Sequence, residues 1–150
     1  MTQSAANHSK TPRQEWMAVL ARTPANELLK LIDALAEKPI YSLPRPIETG
    51  LSMVRGRVSA NGEPFNLGEM SITRCVIQLE DSTQGVAYIA GRDKAQAELA
   101  AVIDALLQNK QIDVKAIEPL QQKINNARQK RAEQVASTKV DFFTLVRGED

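Results

Sequence analysis

The chain has 150 residues, with 19 Lys and Arg against 18 Asp and Glu, so its net charge is only +1. So slight a charge sets up no global field to gather nucleic acid, an anionic membrane or a strongly charged ligand, and any polyanion site must be local. A single cysteine excludes an internal disulfide framework, and together with a single histidine it leaves no ligand set for a self-contained zinc or iron-sulfur centre.

The length suits one domain with a sizeable core. Residues 1–11 are polar and form an expected disordered head, and residues 12–150 an expected single α+β domain that ends in an interaction segment, 138–150. The head lacks the apolar stretch of a signal peptide, and no later segment approaches the roughly 18 apolar residues that span a bilayer, so a cytoplasmic location is expected.

Thr11-Pro12-Arg13-Gln14 sets an N-cap hydroxyl, a first-turn proline and a capping-box glutamine in order, which predicts a helix from Pro12 to about Ala21. Thr23-Pro24 repeats the signal for a second helix, Pro24 to Glu37, with Leu28, Leu31, Ile32 and Leu35 on one face and Pro39 as its stop. The pair is expected to form a helical hairpin. From Ile40 the period becomes extended: Pro44 and Pro46 suit an edge or a connection, and Leu51 to Ser59 reads as a strand. Asn61-Gly62 suits a tight hairpin turn. Strands are expected at Pro64 to Leu67, Ser71 to Glu80 and Gly85 to Ala90, forming an antiparallel meander.

Asp93 with Gln96 suggests another capping box, and Ala95, Leu99, Val102, Ile103, Leu106 and Leu107 stripe a helix from Lys94 to Gln108 that should cover the sheet. A polar stretch, Asn109 to Glu118, leads to a last helix from Pro119 to about Ser137, whose thin stripe of Leu120, Ile124, Ala127 and Val135 suits the surface or a partner. The segment Val140-Asp141-Phe142-Phe143-Thr144-Leu145-Val146 is apolar and β-prone, and adjacent phenylalanines are costly to leave in water. Two readings fit it: a final strand of the chain's own sheet, or a strand docking on another subunit through Val140, Phe142, Phe143, Leu145 and Val146.

Few residues suggest chemistry. Gly91-Arg92-Asp93-Lys94 lies where a strand meets a helix N-terminus, which could hold an anion or could simply be a capped, solvated corner. Lys123, Arg128, Lys130 and Arg131 make the last helix basic, either as a wet face or as a phosphate-neutralising surface. Arg55, Arg57 and Arg74 sit in apolar strands, as in paired networks or interfaces. Glu48, Glu63 and Glu69 do not visibly converge, and Cys75 has only His8, far off in the head, as a possible base. There is no phosphate loop and no His-Glu-x-x-His helix.

Six segments carry a resemblance: Arg13-Gln14-Glu15-Trp16-Met17, Glu48-Thr49-Gly50-Leu51, Gly68-Glu69 with Thr73-Arg74, Gly91-Arg92-Asp93-Lys94, Ile103-Asp104-Ala105-Leu106 and Val140 to Gly148. In order and spacing they resemble the PhnG family, a small subunit of the bacterial carbon-phosphorus lyase core complex. The resemblance implies a multi-subunit transferase that displaces adenine from ATP with methylphosphonate, giving α-D-ribose 1-methylphosphonate 5-triphosphate in phosphonate catabolism during phosphate starvation. It implies as partners a larger nucleosidase-type subunit, a radical S-adenosylmethionine subunit and a further small subunit. No cofactor is expected in this chain, and ATP, with Mg, would be substrate of the complex. No catalytic residue is expected here, only a structural or allosteric role, with Arg92, Lys94 and Arg147 as candidate phosphate contacts. The alternatives are a binding module that recognises nucleic acid through the basic helix, which the neutral charge and scarce aromatics disfavour, and a stand-alone enzyme.

Overall fold

The computed structural model describes residues 10–58 and 62–138. The elements run α1 (Pro12–Leu20), α2 (Ala25–Asp33), β1 (Tyr41–Ser42), β2 (Glu48–Arg57), β3 (Pro64–Leu79), β4 (Gln84–Ala90), α3 (Lys94–Gln108), a 3-10 turn (Val114–Ile117) and α4 (Glu118–Ser137). This is the mixed α+β class expected, with an antiparallel sheet covered by helices. The tail residues Val140, Phe142, Phe143, Leu145, Val146 and Arg147, like His8 and Asn61, lie outside the described residues.

The capping box of α1 is complete: the Gln14 N–H donates to Thr11 Oγ1 at 3.3 Å, and the Thr11 N–H to Gln14 Oε1 at 2.9 Å. Thr23 does not repeat it. Its hydroxyl donates back to the Val19 carbonyl at 2.9 Å, and α2 starts at Ala25 without a side-chain cap. α2 also ends at Asp33, not Glu37, since Pro39 acts before its own position: it offers no N–H to the Leu35 carbonyl and disfavours helical geometry at Lys38. Leu28 and Ile32 are buried and Leu31 and Leu35 partly so, which keeps the expected face.

The strand expected from Leu51 begins earlier, at Glu48, and the two strands expected at Pro64 to Leu67 and Ser71 to Glu80 are one strand of 16 residues. Gly68-Glu69 does not break it. The register instead slips between Val54 and Arg55, which pair with Gly68 and Asn66 and leave Leu67 without a partner, a bulge rather than a turn. Arg74 pairs with both Glu48 and Tyr88, and Gln78 with both Ser42 and Gln84. β1 and β2 therefore share one edge of β3, interrupted where Pro44 and Pro46 intervene, and β4 takes the other.

Thr73, Cys75, Ile77 and Leu79 of β3 and Gly85, Ala87 and Ile89 of β4 turn one buried face toward α3. Ala97, Ala101 and Ala105 of α3 recur at a four-residue spacing, so small side chains fall on one helix face and allow close approach to the sheet. The approach is closest at Gly85, where a Cβ would lie 1.9 Å from the Ala101 carbonyl oxygen. α1 and α2 pack on α3, which is buried without a break from Ala100 to Leu107. Burying a side chain such as Leu20, Leu28 or Ile103 contributes about 1.5–3 kcal/mol each.

The stretch expected to be merely polar, Asn109 to Glu118, contains the 3-10 turn and buries Ile112 and Ile117. α4 follows from Glu118, seats Leu120 and part of Ile124, and is exposed from Asn125 onward.

Candidate functional site

Two knots of side chains hold the elements together, and they gather most of the segments singled out in the sequence. The first centres on Asp104, which is wholly buried in the middle of the α3 stripe. Arg13 reaches it from α1 with Nη2 at 2.8 Å and Nε at 3.3 Å, and Trp16 Nε1 donates at 2.8 Å. The Val86 N–H donates at 3.0 Å from β4, and Gln108 Nε2 at 3.2 Å from the next turn of α3. With five donor atoms around it, the carboxylate is fully engaged in joining α1, α3 and β4, so its chemistry is structural. Sequence reasoning missed this role, although a lone acid within an apolar helix stripe was a usable signal.

The second knot forms at the end of β4. Gly91 has φ of 101°, a left-handed conformation that glycine adopts without a Cβ penalty. Its N–H donates to the Ser71 carbonyl at 2.8 Å, and its carbonyl accepts from Thr73 Oγ1 at 2.8 Å. Thr73 Oγ1 also lies 3.0 Å from Thr49 Oγ1. Glu48 pairs with Arg74 across the strands, which holds the Glu48 carboxyl below its usual range and raises Arg74. Asp93 caps α3 by accepting from the Gln96 N–H at 2.9 Å, but only half of the expected capping box forms. The Gln96 side chain turns instead to the carbonyls of Thr23, at 2.8 Å, and Ala21, at 3.3 Å.

Of the candidate phosphate contacts, Arg92 and Lys94 flank this turn and are exposed. Arg92 Nε reaches Ser71 Oγ at 3.4 Å, and the Asp93 carboxylate takes one of the N–H groups an anion would need. Arg147 lies outside the described residues. Glu63 and Glu69 are exposed and apart from the Glu48–Arg74 pair. Cys75 is buried, and burial pushes its thiol up to about 11, which suits a small core residue and not a nucleophile. Tyr41 is pushed up to about 12 by burial and by its 2.8 Å hydrogen bond to Glu98. No group of three or more metal-binding side chains occurs among the described residues, and no described helix is long and apolar enough to cross a membrane.

On the basic helix, Lys123 Nζ lies 2.7 Å from Glu27 Oε2, and Lys30 lies 2.9 Å from Glu27 Oε1. Hydrogen bonds from these two cations hold Glu27 down to about 2. Part of that charge thus ties α4 to α2, while Arg128, Lys130 and Arg131 remain exposed.

A largely apolar uncovered region is the two-stranded ribbon that β2 and the first half of β3 form beyond α3. Leu51 is 65% exposed, Met53 51% and Leu67 66%, with Phe65 and Met70 also exposed. An open groove of about 590 Å³ adjoins it, lined by residues including Gly50, Ser52, Ile72 and Tyr88. Bare apolar surface of this kind on a well-packed chain marks an interaction site, and the chain has the build of a subunit. It belongs to the PhnG family: residues 11–148 match the family described as phosphonate metabolism protein PhnG. The chain is also 43% identical, over 141 residues, to a Rhizobium meliloti (strain 1021) protein named alpha-D-ribose 1-methylphosphonate 5-triphosphate synthase subunit PhnG, covering 92% of this chain and 90% of that one.

Proposed function

We propose that this chain is a subunit of an α-D-ribose 1-methylphosphonate 5-triphosphate synthase and serves phosphonate metabolism. The observation that carries the reading is the family match over residues 11–148, joined to a relative named as a subunit of that synthase. In the proposed transferase reaction the glycosidic bond of ATP breaks, adenine leaves, and a methylphosphonate oxygen bonds to the ribose C1 carbon. ATP, accompanied by Mg, is substrate of the whole complex.

The chain's own role in this reading is structural or allosteric. Support comes from how its polar side chains are used: Asp104 is saturated by α1 and β4, Glu48 pairs with Arg74, and Asp93 caps α3. The partners are a larger nucleosidase-type subunit, a radical S-adenosylmethionine subunit and a further small subunit, in the cytoplasm, and the tail residues Val140, Phe142, Phe143, Leu145 and Val146 belong to the contact with them. Arg92, Lys94 and Arg147 are the cations it offers to a phosphate.

Reconstitution tests the reading. The isolated chain is expected to release no adenine from ATP plus methylphosphonate, and omitting it from the mixed components is expected to abolish release. Turnover by the chain alone overturns the non-catalytic role, and full turnover without it overturns its membership.

A further inference from the structure

The β4 edge and the β2 edge of the sheet are finished differently. On β4, the outward N–H of Val86 is taken by Asp104 at 3.0 Å and the outward carbonyl of Gln84 by Gln108 Nε2 at 2.9 Å. Side chains of α3 thus occupy hydrogen-bonding groups that another strand would need. The alternation of an antiparallel ladder then fixes the opposite edge. Since Val86 points outward, its neighbours Gly85, Ala87 and Ile89 face β3, and they pair with Ile77, Cys75 and Thr73. The Gly91 N–H bond to the Ser71 carbonyl agrees with this phase. Odd-numbered residues of β3 therefore face β4 and even-numbered ones face β2, so Gly50, Ser52 and the inner groups of Glu48 pair inward. The backbone N–H and C=O groups of Thr49, Leu51 and Met53 point away from the sheet, and no hydrogen bond to them is found among the described residues.

From Thr49 to Val54 this outer edge also lacks the usual protections against strand pairing. β2 runs for ten residues without proline or lysine, and the bulge at Leu67 distorts β3 and not β2. Leu51 and Met53, alternate residues on one face, are both more than half exposed. On the other face Gly50 leaves open space, with nothing within 4 Å of where a Cβ would be, so a large neighbouring side chain fits over it. The charge along the edge is polar, with Glu48 at its start and Arg55 and Arg57 at its end.

We infer that the outer edge of β2 receives an extended segment of a different polypeptide of the synthase, added as a strand opposite Thr49 to Arg55. The inference rests on the subunit reading above and names the contact. The incoming segment carries apolar side chains beside Leu51 and Met53, a large one over Gly50, and a carboxylate at the end that meets Arg55 and Arg57. Backbone pairing supplies the affinity, and the alternating side chains supply the choice of partner.

Hydrogen exchange read amide by amide, on the isolated chain and on the co-expressed complex, tests it. In the isolated chain the amides of Thr49, Leu51 and Met53 are expected to exchange freely while those of Gly50 and Ser52 are protected. In the complex the three outward amides are expected to slow by roughly tenfold or more. Met53→Pro, which removes only an outward N–H, is expected to lose the complex while keeping the circular dichroism of the isolated chain, whereas Met53→Ala is expected to retain it. Outward amides that exchange equally fast in both states overturn the inference and leave the subunit reading standing. Outward amides already protected in an isolated monomer assign the edge to the chain's own segment, and in an isolated dimer to a second copy; either overturns it. A wild-type chain that joins no complex overturns both readings.

Discussion

Arg13 and Asp104 meet at 2.8 Å across 91 positions of sequence, the carboxylate sealed from solvent and the guanidinium partly open to it. The pair clamps the first helix onto the central one, and the remaining donors on Asp104 extend the clamp to β4. Asp104→Ala strands the Trp16 and Val86 N–H groups, so an expected loss on the order of 3–5 kcal/mol should appear in urea unfolding. Arg13→Ala in the Asp104→Ala background is expected to cost much less than alone, because its partner has already gone. Additive losses in that double-mutant cycle would contradict the coupling.

Gly85→Ala places a methyl group 1.9 Å from the Ala101 carbonyl oxygen, and backbone cannot yield as a side-chain tip would. Stability is expected to fall by about 1–3 kcal/mol or more. Gly50→Ala, with open space at its Cβ, serves as the comparison and is expected to leave the thermal midpoint nearly unchanged. Equal midpoints for the two variants would count against the close approach of α3 to β4.

Glu27 links Lys30 and Lys123 and is held down to about 2 from an ordinary value of 4.5. A carboxyl depressed on folding contributes stability fully above its unfolded value and loses it as pH falls through the folded one. The contribution of Glu27 should therefore be complete above about pH 4.5 and disappear toward pH 2. Glu27→Gln is expected to flatten the stability profile across that window, while Lys123→Gln reproduces part of the effect. Parallel acid titrations of wild type and Glu27→Gln would rule the linkage out.

The turn at Gly91 separates capping from charge. Asp93→Ala removes the cap of α3 and is expected to cost about 0.5–2 kcal/mol. Arg92→Ala and Lys94→Ala, both on exposed side chains, are expected to change stability by less than about 0.5 kcal/mol. Loss of the phosphate contact proposed for these two cations is expected to raise the Michaelis constant for ATP in the reconstituted synthase without altering assembly. Unchanged kinetics in both variants would reduce the turn to a structural corner.

The local parts of this fold were legible in the sequence because they rest on neighbouring residues. Thr11, Pro12 and Gln14 place the start of α1, and the stripe from Ala95 to Leu107 gives the span of α3. What depends on distant residues was not. Gly68 reads as a break, yet cross-strand pairing with β2 carries β3 through it. Asp104 stands out as an acid in an apolar stripe, but its partners lie 91, 88 and 18 positions away, so what it joins does not. The bare ribbon was equally hidden: Leu51, Met53 and Leu67 look like core in a strand pattern, and that α3 packs on β4 and β3 rather than over them is a tertiary fact.

A sheet with two open edges can add copies indefinitely at both ends, as fibres do. Here Asp104 and Gln108 occupy outward backbone groups of β4, which leaves the β2 edge the better placed to take a strand. The same carboxylate that clamps the first helix thereby also guards part of one sheet edge.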